Sequence, residues 1–114
     1  MRHSLLLLVA LLGISGCDSS TPLSVENRSG VLLRSVVVSG SGFSEELGDI
    51  QPGDTVSSRV RPSGESSLAI AFTASGKRIS SPADTYFEGG GQYSVAVVVT
   101  PNLEASADAQ LHLY

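Results

Sequence analysis

The sequence has one cysteine, no tryptophan and few aromatic residues, 5% of the chain. A single cysteine cannot form an intrachain disulfide, so the fold must be held together by its apolar core. Lacking both a cysteine pair and a tryptophan, the chain is excluded from the antibody-type immunoglobulin domains. Only one of its two histidines, His112, lies beyond residue 3. The sequence therefore offers little material for histidine-based catalysis or metal binding.

Basic residues are also scarce, with 7 lysines and arginines against 11 aspartates and glutamates. An acidic chain lacks the positive surface by which proteins bind nucleic acid. It also lacks the polybasic segment that binds anionic lipids. Nucleic acid is therefore not an expected partner.

The longest apolar run, Leu5–Leu12, lies near the N-terminus, behind Arg2 and His3. A basic start, an apolar stretch of this length and small residues after it are typical of a secretory signal peptide. The run is shorter than the roughly 20 apolar residues that a membrane-spanning helix needs. The polar residues 18–21 then end it, so the segment predicts export and not a membrane span.

The cysteine stands directly after this segment, in the sequence Ile14, Ser15, Gly16, Cys17. An aliphatic residue, two small residues and a cysteine resemble the bacterial lipobox. The resemblance implies that a diacylglyceryl group is attached to the Cys17 thiol and that cleavage falls between Gly16 and Cys17. Two or three acyl chains make a stable membrane anchor, whereas one holds only weakly. The alternative is an ordinary signal peptide whose cysteine is removed or stays unmodified.

These features predict a lipoprotein signal peptide over residues 1–16, a lipidated cysteine and short tether over 17–22, and one domain over 23–114. Removing 16 of 114 residues leaves 98, with 6 basic and 11 acidic side chains and a net charge of −5. The acidic domain is therefore expected to stand off the membrane. In enteric bacteria, an aspartate directly after the lipidated cysteine favours retention in the inner membrane, and Asp18 occupies that position. The resemblance therefore favours the inner membrane, while the choice of membrane stays open.

Beyond the tether, short segments with two-residue alternation are separated by turn-forming residues. The clearest inward-facing set is Leu68, Ile70, Phe72 and Ala74. The segment 31–39 has apolar residues on both sides, which requires two covered faces or a bulge near Arg34 and Ser35. Residues 103–110 are left open between a helical turn, a loop and a poor strand. Strands are predicted over residues 23–26, 31–39, 43–47, 56–61, 67–74, 78–80, 85–88, 92–100 and 111–114.

Seven or eight of these nine segments are expected to form strands, and none shows helical periodicity, which predicts an all-β fold. It is expected to be an antiparallel β-sandwich of about seven strands after a cleaved signal helix, with a barrel as the alternative. The segment Gly91-Gln92-Tyr93-Ser94-Val95 is similar to a Gly-x-Tyr-x-Val stretch in late strands of immunoglobulin-like and prealbumin-like sandwiches. That resemblance implies a fold and carries nothing about activity.

Arginines form the first candidate binding surface. Arg59 and Arg61 share one face of a predicted strand, and Lys77 and Arg78 are expected nearby. Such a face suits an acidic partner or a sugar phosphate. The alternative is that these charges protect an edge strand from pairing with another chain.

Carboxylates form the other candidates. Asp84 and Glu88 have the chemistry of an acid–base pair in a glycosidase-like site. His112 is a separate candidate, and because it alternates with leucines it is predicted to be an exposed strand residue. The triple glycine at 89–91 precedes a strand, so it lacks the helix N-terminus that cradles phosphate. Four acidic residues surround a Pro-Gly turn, where they would either bind calcium or form a solvated loop: Glu45, Glu46, Asp49 and Asp54.

Together these observations predict a periplasm-facing lipoprotein of the bacterial cell envelope, without enzymatic activity, metal or cofactor. Its expected role is binding or structural, as an accessory subunit of an envelope complex. The expected partners are the membrane, through Cys17, and an envelope protein. The alternative is a small carbohydrate- or ion-binding module, and an enzyme is the third possibility.

Overall fold

The computed structural model describes residues 19–112, which form eight β-strands and no helix. Four strands form sheet A, in the order β4-β1-β7-β8, and four form sheet B, in the order β3-β2-β5-β6. Apolar side chains from both sheets share one core, so the sheets pack as a β-sandwich. The strands are β1 Thr21–Asn27, β2 Leu33–Gly40, β3 Phe43–Ile50, β4 Thr55–Val60, β5 Glu65–Ala74, β6 Lys77–Glu88, β7 Tyr93–Val99 and β8 Ala105–Leu111.

The all-β prediction is confirmed, although the strand bounds differ from those predicted. The alanine-rich segment that the sequence left open forms β8, so there are eight strands where about seven were expected. The break predicted at residues 81–84 is wrong, because β6 continues through Pro82. Proline is tolerated there since β6 is an edge strand, where one side of the backbone needs no partner. β1 begins at Thr21, two residues before the predicted strand.

One strand pair departs from the antiparallel expectation. β1 runs parallel to β7, with Leu23 opposite Val95 and Val25 opposite Val97, while the other pairs among the described strands are antiparallel. β1 therefore lies between β4 and β7 inside sheet A. As a result, the start of β1, the end of β4, the start of β7 and the end of β8 lie at the same end of the sheet.

We call this end the lower end and define it by three loops, residues 41–42, 61–64 and 89–92, with the start of β1. The loops are tied together by backbone hydrogen bonds, from Ser63 N–H to Ser41 O at 2.9 Å and from Gly89 N–H to Gly64 O at 3.0 Å. A Cβ on Gly89 would lie 2.6 Å from the carbonyl oxygen of Pro62, so the close approach requires glycine. The upper end comprises loops 28–32, 51–54, 75–76 and 100–104.

Of the two alternatives left open for the segment 31–39, the structure shows the bulge. The register shifts between Leu33 and Val36, and Ser35 adopts a positive φ of 49°. The carboxylate of Asp49 accepts the Ser35 N–H at 2.9 Å, and Arg78 donates to the Ser35 carbonyl at 3.0 Å. The bulge places Leu33, Val36 and Val38 all in the core, which resolves the two-sided apolar pattern of the segment.

The core is built by the alternating positions that the sequence singled out. Val95, Val97 and Val99 of β7 and the inward residues of β5 are all buried in the same core. Phe72 and Phe87 are its largest fully buried side chains. The core contains Leu23, Val25, Leu33, Val36, Val38, Ile50, Val60, Leu68, Ile70, Phe72, Ala74, Ala83, Phe87, Val95, Val97 and Val99.

A buried asparagine closes the upper end. Asn27 has an exposed fraction of 0%, and its amide nitrogen donates to the carbonyls of Val31 at 2.8 Å and Ile50 at 2.9 Å. Its amide oxygen accepts the Ser29 N–H at 2.9 Å and the Ser29 hydroxyl at 2.6 Å. The Asn27-Arg28-Ser29 sequence also matches a glycosylation acceptor pattern. In this structure it forms a turn in which the Asn27 side chain links the end of β1 to the loop 28–32 and to the end of β3.

Candidate functional site

The candidate site with the clearest chemical motif, the lipobox-like sequence at residues 14–17, lies outside the described residues. This includes Cys17 and Gly16, for which the lipidation and cleavage predictions remain predictions. The chain enters the described part at Ser19, Ser20 is already buried, and β1 starts at Thr21. Thr21 pairs with Val60 at the lower end of sheet A. Any group attached to Cys17 is therefore connected to this end of the sandwich. Residues 19–112 contain no helix long and apolar enough to cross a membrane.

The two predicted arginines lie on the outer face of sheet A, at its lower end. Arg59 is exposed opposite Pro22, Arg61 is exposed one residue beyond β4, and Val60 between them points into the core. The shared face is as predicted. β4 is also an edge strand, so the protective reading of these charges fits the structure as well.

The expected neighbourhood of these arginines with Lys77 and Arg78 is wrong. Those two residues begin β6, next to the upper-end hairpin of the other sheet. Arg78 donates to the Ser35 carbonyl and to the Thr73 hydroxyl at 3.2 Å, and so stabilises the β2 bulge. The basic side chains therefore do not form one patch.

The outer face of sheet A holds a depression of about 290 Å³. It is shallow and wide because small side chains follow one another across all four strands. The hydroxyls of Ser24, Ser57 and Ser94 lie along it, with a carboxylate and an amide at the β8 side. Its outward-facing residues are Pro22, Ser24, Ser57, Ser94, Ala96, Asp108 and Gln110.

A serine–histidine pair lies beside this depression. The Ser94 hydroxyl and the His112 Nε2 are 2.8 Å apart, and the His112 N–H donates to the Gln92 carbonyl at 2.7 Å. His112 is half-buried, where the sequence predicted an exposed residue. Sequence reasoning missed Ser94, because only the register of β7 on β8 brings it diagonally next to His112.

The distance in this pair suits a nucleophile and its base. Acyl transfer also needs N–H donors aimed at the developing oxyanion. Ser94 lies in β7, which has β1 on one side and β8 on the other, so the backbone N–H groups around it are used in the two ladders. The geometry of the described residues therefore supports a hydrogen bond that fixes the end of β8 better than it supports catalysis.

Two of the four acidic residues around the Pro-Gly turn bond to different partners. Glu45 accepts from the Ser58 hydroxyl at 3.1 Å, and Asp49 accepts from the Ser35 N–H. Within residues 19–112, no three His, Cys, Asp or Glu side chains are grouped closely enough to hold a metal ion. The structure therefore gives the calcium hypothesis no assembled set of ligands.

Of the other two carboxylates, Glu88 is engaged by a tyrosine. The Tyr86 hydroxyl donates to Glu88 at the lower end of β6. Mainly because of this bond, with smaller contributions from burial and from neighbours including Glu65 and Tyr93, the pKa of Tyr86 rises to about 12. Asp84 is exposed on the same strand. The Glu88 carboxylate is thus bonded to the Tyr86 hydroxyl.

Glu88→Gln is expected to lower the pKa of Tyr86 from about 12 toward the ordinary value of 10.0. The carboxylate stabilises the protonated phenol, and a neutral amide does so less. The ring-carbon NMR shift of Tyr86 followed against pH measures this. Asp84→Asn, on the same strand, is the matched control and should leave the titration in place. An unchanged midpoint in Glu88→Gln would show that the hydrogen bond does not govern it.

A second depression, of about 430 Å³, lies on sheet B above the β2 bulge. Its lining includes Ser35, Thr73 and Arg78, the residues that hold the bulge through the hydrogen bonds described above. The bulge opens the sheet surface locally, so the depression follows from strand geometry.

Comparisons with known proteins bear on the fold. No protein-family model matches the chain, and no curated protein matches its sequence. A solved structure, described as the NMR structure of the protein from Eubacterium rectale, is similar with a TM-score of 0.57 and 13% sequence identity. The similarity covers 87% of this chain and 96% of that chain. At this identity the two proteins share an architecture, and the likeness carries nothing about function.

Proposed function

We propose that the chain is a bacterial envelope lipoprotein, anchored through acyl chains on Cys17, with a periplasm-facing β-sandwich. Its role is binding or structural and not enzymatic, as an accessory subunit of an envelope complex. The observation that carries the proposal is the sequence Ile14-Ser15-Gly16-Cys17 at the end of a short apolar run. Within this proposal the finer fold is immunoglobulin-like or prealbumin-like, because the Gly91–Val95 segment leads into and opens β7.

The position of β1 supports the anchor. Thr21 lies four residue steps after Cys17, and four extended residues span at most about 14 Å. Such a short connection suits a domain that works at the membrane surface. It does not suit a domain that reaches across the envelope.

The outer face of sheet A is the proposed binding surface. Small side chains such as Ser24, Ser57 and Ala96 let a partner approach the sheet closely, while Arg59 and Arg61 offer charge for an acidic partner. No group of catalytic side chains with an oxyanion site is assembled in the described residues, which favours binding over chemistry.

The second candidate function, a carbohydrate- or ion-binding module, is favoured by the same depression, whose serine hydroxyls, Asp108 and Gln110 are suitable hydrogen-bonding groups for a sugar. Shifts of the Ser24 and Gln110 amide signals on adding oligosaccharide, with saturation, would favour it. Such saturation would count against a purely structural role.

The anchor is tested by Cys17→Ser. The serine hydroxyl cannot carry the thioether-linked diacylglyceryl group, so the variant is expected to leave the membrane fraction and to keep its signal peptide uncleaved. Ser19→Ala, an exposed change two residues away, is the matched control and should stay membrane-bound and mature normally. Mass spectrometry of the native protein gives an independent reading. A bare Cys17 thiol, or a Cys17→Ser chain still mature and membrane-bound, would refute the proposal.

A further inference from the structure

The lower end carries two of the three exposed large apolar side chains of the described residues. Tyr86 is 50% exposed at the end of β6, and Leu111 is 47% exposed at the end of β8. The third, Val31, is 36% exposed and lies at the upper end. The half-buried Tyr93 lies opposite Leu111, and it is one of the groups that raise the pKa of Tyr86. We call Tyr86, Tyr93 and Leu111 the lower rim.

The sheet register places this rim close to the chain entry. Because Leu23 pairs with Val95 in parallel and Tyr93 pairs with Leu111, Leu111 is level with Thr21. Two strand spacings separate them, about 10 Å. With Cys17 at most about 14 Å from Thr21, an anchor in the bilayer leaves the rim within reach of the headgroup region.

Both signs of charge occur at this end. Arg59 and Arg61 lie beside the start of β1, and Glu65 and Glu88 lie near Tyr86. The two arginines attract the anionic lipid headgroups that the two carboxylates repel. Amphipathic tyrosine rings are enriched at membrane interfaces, where the ring is buried and the hydroxyl stays wet. The Tyr86 hydroxyl donates to Glu88, and the residue as a whole is half exposed.

We propose that the sandwich rests its lower end on the bilayer, with Tyr86 and Leu111 at the level of the headgroups and upper acyl carbons. The occupant of the rim is thus the lipid surface to which Cys17 is anchored, and this inference rests on the proposed lipidation. It replaces the expectation that an acidic domain stands off the membrane. Contact depends on apolar side chains, so it is expected to persist at raised salt.

Single-tryptophan variants of the full lipidated chain test this contact, because the protein contains no tryptophan of its own. Tyr86→Trp and Leu111→Trp probe the rim, and Val31→Trp is the matched control at the upper end. Each protein is purified from membranes and reconstituted into phosphatidylethanolamine–phosphatidylglycerol vesicles with brominated acyl chains. Quenching is expected at positions 86 and 111 but not at 31. Vesicle flotation reports the anchor separately.

The outcomes separate the two proposals. Flotation with quenching at both rim positions supports the contact, and using two positions guards against a folding defect in either variant. Flotation with rim quenching no greater than that of Val31→Trp overturns the contact and leaves the anchor standing. Blue-shifted emission without bromine quenching means that a protein surface covers the rim, which also overturns it. A chain that does not float refutes the anchor and the contact together.

Discussion

Asn27→Leu is expected to cost about 3 kcal/mol or more of the free energy of unfolding, since each buried polar group left without a partner costs about 1–3 kcal/mol. The change removes the amide that binds the Val31 and Ile50 carbonyls and the Ser29 N–H. A domain of this kind has only about 5–15 kcal/mol of stability in all. Urea unfolding of the purified chain measures the loss. Asn102→Ala, an exposed asparagine at the same end, should change stability little.

Asn27→Asp adds a pH dependence that the leucine variant lacks. Burial and the two facing carbonyl oxygens should raise the pKa of the new carboxyl above the 3.9 or so of an unfolded aspartate, and they are expected to outweigh the Ser29 N–H and hydroxyl, which favour the charged form. The folded state then binds more protons than the unfolded state, so stability falls as the pH rises above about 4. The aspartate variant is therefore expected to be more stable at pH 4 than at pH 7, relative to Asn27→Leu. Equal losses at both pH values would mean that the side chain is not held between the carbonyls.

Alternation in the sequence was enough to predict the strands whose inward-facing side chains are large. β5 and β7 were predicted with the correct residues inside, because Leu68, Phe72 and Val97 leave no ambiguity about the buried side. β8 lies in the segment that the sequence left open between a helical turn, a loop and a poor strand. Its inward residues, Ala105, Ala107 and Ala109, are too small to give an apolar signal, and they are half-buried only because they pack against the core. Tertiary packing, absent from a local pattern, decided that segment.

Sheet assignment could not be predicted locally either. The parallel pairing of β1 with β7 joins Leu23 to Val95, segments about 70 residues apart in the chain. The same limitation affected the candidate site. Arg59 and Arg61 were placed on one face because two-residue alternation is a property of a single strand. Lys77 and Arg78 were misplaced because their strand belongs to the other sheet.

The lower end of the sandwich links the sequence motif to the fold. Cys17 lies four residues before the start of β1, whereas Tyr86 and Leu111 are distant in the sequence from β1 and from each other. Only the strand register brings the start of β1 and these two side chains to the same end, which also holds the arginines and the serine–histidine pair. The proposed lipid contact draws on the exposed Tyr86 and Leu111, while Ser94 and His112 are bonded to each other.

Phe87→Ala should have the other large effect, a loss of about 3–5 kcal/mol, as is usual when a fully buried phenylalanine is truncated. Phe87 is completely buried under the lower end, and its ring centroid is 6.3 Å from that of Phe43, at an interplanar angle of 57°. Phe43→Ala is the matched control, because that ring is only half-buried, and it should cost about 1 kcal/mol.

The double variant separates packing from ring contact. Tilted ring pairs contribute about 0.5–1.5 kcal/mol beyond the area that they bury, so the Phe43→Ala, Phe87→Ala chain should lose less than the sum of the two single losses by about that amount. Urea unfolding measures all four corners of this cycle. If the Phe43 variant loses as much as the Phe87 variant, then the lower loops, and not the core beneath them, hold this end together. In that case the loops 41–42 and 61–64 would determine the structure of the lower end that is proposed to contact the lipid surface.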